Sequence, residues 1–94
     1  MRPKTNRERR VNNLVLYRER MGLTQRHVAG LLGETNTTLI SKLEQGTRLP
    51  SLLVILKLAI IYRAPVDFLF AQLYEELRSE IREKEDDERQ TNAP

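Results

Sequence analysis

An all-α fold of short helices around one small core is the class this sequence predicts. Apolar residues recur at spacings of three and four, as in Val28, Ala29 and Leu32 or in Phe70, Leu73, Leu77 and Ile81, which is the period of a helix face. Residues that start and stop helices flank those runs. Asn13, Thr24 and Ser51 can cap N-termini, and Gly22, Gly33 and Gly46 suit the left-handed position past a C-terminus. With no cysteine in 94 residues, neither disulfides nor thiolate metal sites can assist, so the core has to be helical and economical.

Taken in order, the chain opens with Arg2, Lys4, Arg7, Arg9 and Arg10 and a single acid, Glu8, without apolar periodicity. Residues 1–11 therefore read as a basic arm, disordered when free. It either follows phosphates or a minor groove, or is a solvated tail; the residues alone leave both open. A first helix starts near Asn12 or Asn13, carries Leu14, Tyr17, Arg18 and Met21 on one side, and ends at Gly22, after which Leu23 closes over the core. Thr24 caps a second helix that buries Val28, Ala29 and Leu32 and stops at Gly33. A third buries Ile40 and Leu43 and turns Thr37, Thr38, Ser41 and Lys42 outward, with Gly46 past its end. Two short helices joined by a tight polar turn form a helix-turn-helix pattern, whose second helix lies in the DNA major groove. Two helices and a glycine also occur in helical proteins for packing alone.

The segments LTQRHVAGLLG, ISKLEQG and LPSLLVILKLAIIYRAPVDFLF are more specific. From about Asn13 to Phe70 the chain resembles the phage-repressor and Cro-like (Xre-type) helix-turn-helix regulators. Arg18, Thr24-Gln25, Ala29, Gly33, Ile40, Glu44, Gly46, Pro50, Leu58-Ala59, Asp67 and Leu69 stand in the family's order. The resemblance implies a five-helix repressor-like DNA-binding domain, with the Arg18 and Glu44 positions paired to tie the first helix to the recognition helix. It also points to Gln25 and Arg26, at the start of the second helix, as phosphate clamps.

One departure bears on the site. Between Gly33 and Gly46 the chain has one more residue than the commonest family form, so Glu34-Thr35-Asn36 makes a longer turn or shifts the helix start. Counting back from buried Ile40, Leu43 and Glu44 makes Asn36 the N-cap, with Thr37, Thr38, Ser41 and Lys42 facing DNA. Counting forward from Gly33 makes Thr35 the cap and Asn36 the first reader. The backward count is preferred, because buried residues fix the rotation of a helix and a turn can absorb an insertion. Lys42 can donate to guanine O6 and N7 or to a phosphate, and Thr37, Thr38 and Ser41 can offer hydroxyls or methyls. No arginine falls on this face. Thr47 and Arg48, in the following loop, are expected to touch the backbone. A solvated helix face is the plain alternative for each of these side chains.

Ser51 caps a fourth helix whose expected core stripe is Leu52, Ile55, Leu56 and Ala59. The resemblance puts Leu53, Val54 and Ile60 at positions usually polar, where three apolar side chains need a partner. Ala64-Pro65 breaks that helix, and Pro65 suits a helix start. A fifth helix is expected from about Val66 through Leu69, Phe70, Leu73, Leu77 and Ile81, longer than the family's. It either folds back over Leu53 and Ile60 or pairs with its copy. Dimerisation through Leu53, Ile60, Phe68, Leu73, Leu77 and Ile81 is preferred, because operator-binding proteins of this kind read two half-sites by two-fold symmetry. After Ile81 the sequence has charge without apolar period. Pairs Glu80–Lys84 and Glu85–Arg89 could support a last turn or two of helix, and a frayed end is expected.

The domains expected are thus the arm 1–11, the helix-turn-helix domain 12–72, and the extension and charged tail 73–94. Residues 1–74 carry twelve Lys/Arg against five Asp/Glu, and residues 75–94 four against eight, so a basic body suited to a polyanion precedes an acidic tail. The function expected is sequence-specific binding of double-stranded DNA by a homodimeric regulator acting as a repressor, in the cytoplasm and without a cofactor. The rival is an antitoxin or other protein-binding module that engages a protein partner through its C-terminal tail. Catalysis has little to stand on: His27 is the lone histidine, no nucleophile set or phosphate loop is present, and no apolar run spans a membrane.

Overall fold

The computed structural model describes residues 11–91, so the basic arm expected at residues 1–11 lies outside the described residues except for Val11, and residues 92–94 lie outside as well. Among the described residues there are six helices: α1 Leu14–Arg20, α2 Gln25–Leu31, α3 Thr38–Gln45, α4 Leu52–Tyr62, α5 Val66–Leu69 and α6 Ala71–Thr91. The all-α class holds, and the count rises from five to six because the expected fifth helix is broken. At Phe70 the backbone leaves the helical region (φ −122°, ψ 46°). The kink lets two adjacent side chains, Leu69 and Phe70, both enter the core before the chain turns away as α6.

The turn chemistry is as the sequence implied at the glycines. Gly33 and Gly46 take left-handed φ values of 80° and 75°, where a side chain would be strained. At Gly46 the chain closes with N–H groups of Gly46 and Thr47 donating to the carbonyls of Leu43 and Lys42. The end of α4 carried no such mark. Arg63 takes the left-handed position (φ 51°) there, at a cost of about 1 kcal/mol that glycine would avoid. Thr24 and Ser51 accept backbone N–H groups of His27 and Val54 and so cap α2 and α4.

One core holds the helices together. Leu14, Val28, Ala29, Leu32, Ile40, Leu43, Leu58, Tyr62, Ala64, Leu69 and Phe70 are buried, with Tyr17, Met21, Leu23, Val54, Ile55 and Leu73 packed around them. α2 lies on α3, α1 on α3, α4 on α5, and α5 on α6. The stripe expected on α4 is corrected here. Leu52 and Leu56 are 71% and 49% exposed, and the core face is formed by Leu58 and Tyr62 with Val54, Ile55 and Ala59 at its edges. Because α4 is apolar almost all round, periodicity could not choose which side to bury.

The fold-back alternative for the C-terminal helix does not describe this chain either, since Leu53 and Ile60 remain 63% and 75% exposed. Past Ile81 α6 continues unbroken to Thr91, longer than the last turn or two of helix expected there. The expected Glu80–Lys84 and Glu85–Arg89 spacing is replaced by three-residue pairs, Glu75–Arg78 at 3.6 Å and Arg82–Glu85 at 3.0 Å. Such exposed pairs add only tenths of a kcal/mol each.

The rotation of α4 is open to direct measurement. In urea unfolding of the monomer at high dilution, Leu58→Ala should cost about 2–5 kcal/mol and Leu52→Ala less than about 1. Equal losses would mean that α4 buries a different face.

Candidate nucleic-acid interface

The outward face of α3 is set by what lies behind it. Ile40 and Leu43 are 2% and 1% exposed, and this fixes which side chains can point away from the core. Glu44, on the inner side, is clasped from two directions. Arg18 of α1 donates from Nε to Glu44 Oε2 at 2.6 Å and from Nη2 to Oε1 at 3.3 Å, and its Nη1 donates to the carbonyl of Leu23 at 3.0 Å. Gln25, at the first position of α2, donates from Nε2 to Glu44 Oε1 at 2.7 Å. The Arg18 and Glu44 side chains are 15% and 5% exposed, so the ion pair predicted from the resemblance is present and sheltered.

Two asparagines complete the fixing of α3. Asn12 donates from Nδ2 to the carbonyl of Leu43 at 2.8 Å and accepts the N–H of Leu14 on Oδ1. Asn13 reaches the other way, its Nδ2 donating to the carbonyl of Phe68 at 2.9 Å and its N–H to that of Leu69. Both had been read only as caps. Asn13 holds the N-cap position without a side-chain capping bond, and the capping oxygen comes from Asn12.

The start of α3 differs by one residue from expectation. Thr37, not Asn36, is the N-cap, since the Thr37 carbonyl accepts the N–H of Ser41. Asn36 still does capping work, accepting the N–H of Thr38 on Oδ1 at 3.0 Å. The extra residue of the turn is absorbed before the helix, as the backward count required.

The predicted DNA-binding residues divide into groups. Thr38 and Lys42 are exposed, and Ser41 beside them is half-buried. The Ser41 hydroxyl accepts Nε2 of Gln45 at 3.0 Å, a neighbour that sequence reasoning passed over. Arg26, Asn36 and half-buried Thr37 line an open concavity of about 470 Å³ between the second helix and the turn, together with Glu34 and Thr35. Thr47 and Arg48 lie past the other end of α3, where Thr47 Oγ1 donates to the carbonyl of Lys42 at 3.3 Å. Arg48 is exposed. Gln25 is the exception to expectation, because its amide is turned toward Glu44.

The electrostatics behind the site are those of a sheltered ion pair. The hydrogen bond to Glu44 raises the Arg18 pKa further above its ordinary value, with burial opposing. Tyr62 lies under the same pair. Burial pushes its hydroxyl up to about 12, the Glu44 carboxylate adding to the rise and Arg18 working against it.

A family model described as helix-turn-helix matches residues 14–69. The chain belongs to the Xre/Cro-like helix-turn-helix family. Its matched region runs from the first residue of α1 to the last of α5, and the regulator is therefore a DNA-binding protein of transcription of the Xre/Cro kind. The matched domain is regulatory rather than enzymatic. No curated relative matches the sequence. Among the described residues no helix is long and apolar enough to cross a membrane.

Two measurements test the support beneath α3. Arg18→Ala leaves Glu44 sheltered without its cation and should cost about 3 kcal/mol or more in chemical denaturation. In alkali, Tyr62 keeps its proton in the folded chain and loses it on unfolding. Its contribution is therefore complete below about pH 10 and disappears as the pH rises toward 12, a loss of roughly 2–3 kcal/mol. Tyr62→Phe should flatten that part of the stability profile, and an unchanged slope would assign it to other groups.

Proposed function

We propose that the protein is a homodimeric repressor that occupies an operator, reading the major groove with the face of α3 that carries Thr38, Ser41 and Lys42. The observation that carries this reading is the contrast between the two sides of α3. Its inner side is locked by Ile40, Leu43 and the clasped Glu44, while its outer side bears the polar Thr38, Ser41 and Gln45 and one cation, Lys42. Such a face can approach base edges closely and rigidly.

In this reading Lys42 donates to guanine O6 and N7 or to a phosphate, and Thr38 offers a methyl and a hydroxyl. Asn36 holds its carbonyl oxygen on the N–H of Thr38 with one lone pair still open, and its amide N–H groups point onward as donors to DNA. Thr37 sits at the rim. Arg26 on one side, and Thr47 and Arg48 on the other, follow phosphates. Gln25 acts through Glu44 rather than on the backbone. The absence of arginine from the reading face leaves much of the specificity to methyl contacts, water and DNA shape. Leu53, Ile60, Phe68, Leu73, Leu77 and Ile81 form the dimer contact, and the protein works in the cytoplasm with the DNA it controls.

The test is binding to the DNA immediately upstream of the protein's own gene, at two salt concentrations, against scrambled DNA of equal length. A preference of about a thousandfold that survives the higher salt is expected. Weak and equal binding that vanishes with salt would instead favour the antitoxin-like reading, with a protein as the main partner. On the specific fragment Lys42→Ala should weaken binding by about 1–3 kcal/mol if it contacts a base. If Lys42 touches only phosphate, all sequences weaken alike and the salt slope falls by about one.

A further inference from the structure

The outer stripe of α3 has a fourth member. Thr38, Ser41, Lys42 and Gln45 follow one another at spacings of three and four, so they share one face over about 10 Å of helix. Gln45 is exposed, as are Thr38 and Lys42, and Ser41 is half-buried among them. Ser41 and Gln45 are joined: the Gln45 amide donates from Nε2 to Ser41 Oγ at 3.0 Å. Among the described residues this is the one hydrogen bond between two side chains of that face.

The direction of the bond matters. With Gln45 donating, the Ser41 oxygen is the acceptor and its own proton is not spent on Gln45. Nor does the proton go to the turn below, where the Thr37 carbonyl accepts the backbone N–H of Ser41 at 2.9 Å. The hydroxyl therefore turns a donor outward, beside the ammonium donors of Lys42.

We propose that Gln45 is a positioning residue for base recognition: it holds the Ser41 hydroxyl as a donor, so that the operator carries guanine rather than cytosine at the base facing Ser41. This rests on the major-groove reading by α3 proposed above and adds to it which base edge is taken.

The preference follows from the two edges. In the major groove guanine shows the acceptors O6 and N7, and cytosine only its N4 amino donor. Against guanine the Ser41 proton has a partner. Against cytosine the second lone pair of Oγ can accept, but the proton is left unmet in a space from which water has gone, a loss of about tenfold in binding. In water a side-chain bond between residues four apart on a helix is weak, so its effect shows on DNA and not in folding.

The test is selection of sites from randomised DNA by the full chain, followed by titration of the selected site and its single base-pair variants. The pair facing Ser41 is the one whose preference Ser41→Ala abolishes. There the wild type should favour guanine over cytosine by about tenfold. Gln45→Ala lets the hydroxyl rotate and should bring that ratio within about twofold, with the preferences at other pairs kept. Gln45→Glu sets a carboxylate in place of the amide. It takes the Ser41 proton and turns the oxygen lone pairs outward, so the ratio should cross over in favour of cytosine. The added negative charge weakens every sequence alike and cancels in the ratio. On a Ser41→Ala background Gln45→Ala should shift no base preference, because the two side chains act as one unit. Gln45 is exposed at the last position of α3, and circular dichroism verifies that each variant is folded. A wild type that favours cytosine at that pair, a ratio unmoved by Gln45→Ala, or preferences that still shift without Ser41 would each overturn the proposal while leaving α3 as the reader. Randomised DNA that yields no enriched sequence would overturn the major-groove reading itself, and this proposal with it.

Discussion

The Arg18–Glu44 pair is the contact on which the rest of the arrangement depends. It joins the first helix to the recognition helix, and two further groups are attached to it: the carbonyl of Leu23, which ends the first turn, and the amide of Gln25, which opens α2. Three elements thus take their mutual positions from one carboxylate. A sheltered charge pair is a weak source of net stability, but its geometry is demanding, since each oxygen must be matched or the desolvation cost is uncompensated. That demand fixes the angle of α3 against α1 and α2.

Apolar packing and the asparagine clasps act on the same helix from other sides. Ile40 and Leu43 set its rotation, Asn12 holds the carbonyl of Leu43, and buried Tyr62 feels the charges of the same ion pair. Because the inner side is so fully committed, the outer side is free of structural duties apart from Ser41, which accepts from Gln45. Rigidity behind the face and small side chains on it are two halves of the same design. Approach to a base edge is limited by side-chain bulk, and selectivity by how little the helix can shift.

The second surface has a different character. Leu52, Leu53, Leu56 and Ile60 on α4 and Tyr74, Leu77 and Ile81 on α6 lie outside the core and are the densest set of exposed large apolar residues in the described chain. Contiguous apolar area of this extent is uncommon on the surface of a folded chain.

Much of the domain was legible in the residue order, because the signals concerned are local. Thr24, Ser51, Gly33 and Gly46 declare helix ends through cap chemistry and allowed φ values, and Val28, Ile40 and Leu43 declare a buried face through their spacing. Arg18 and Glu44 could be paired only by resemblance, being 26 positions apart, and the structure confirms them. What the sequence by itself determined was the helical class, the order of α1 to α5 and the outward side of α3. Tertiary structure decided the rest. It chose Leu58 over Leu56 for the core, because α4 is apolar on every side and only its neighbours could break the tie. It turned Gln25 and both asparagines inward, because an amide shows no preference until a partner stands in reach. And it split the last helix at Phe70, where the backbone leaves the helical region so that Leu69 and Phe70 stay in the core while α6 turns away from it.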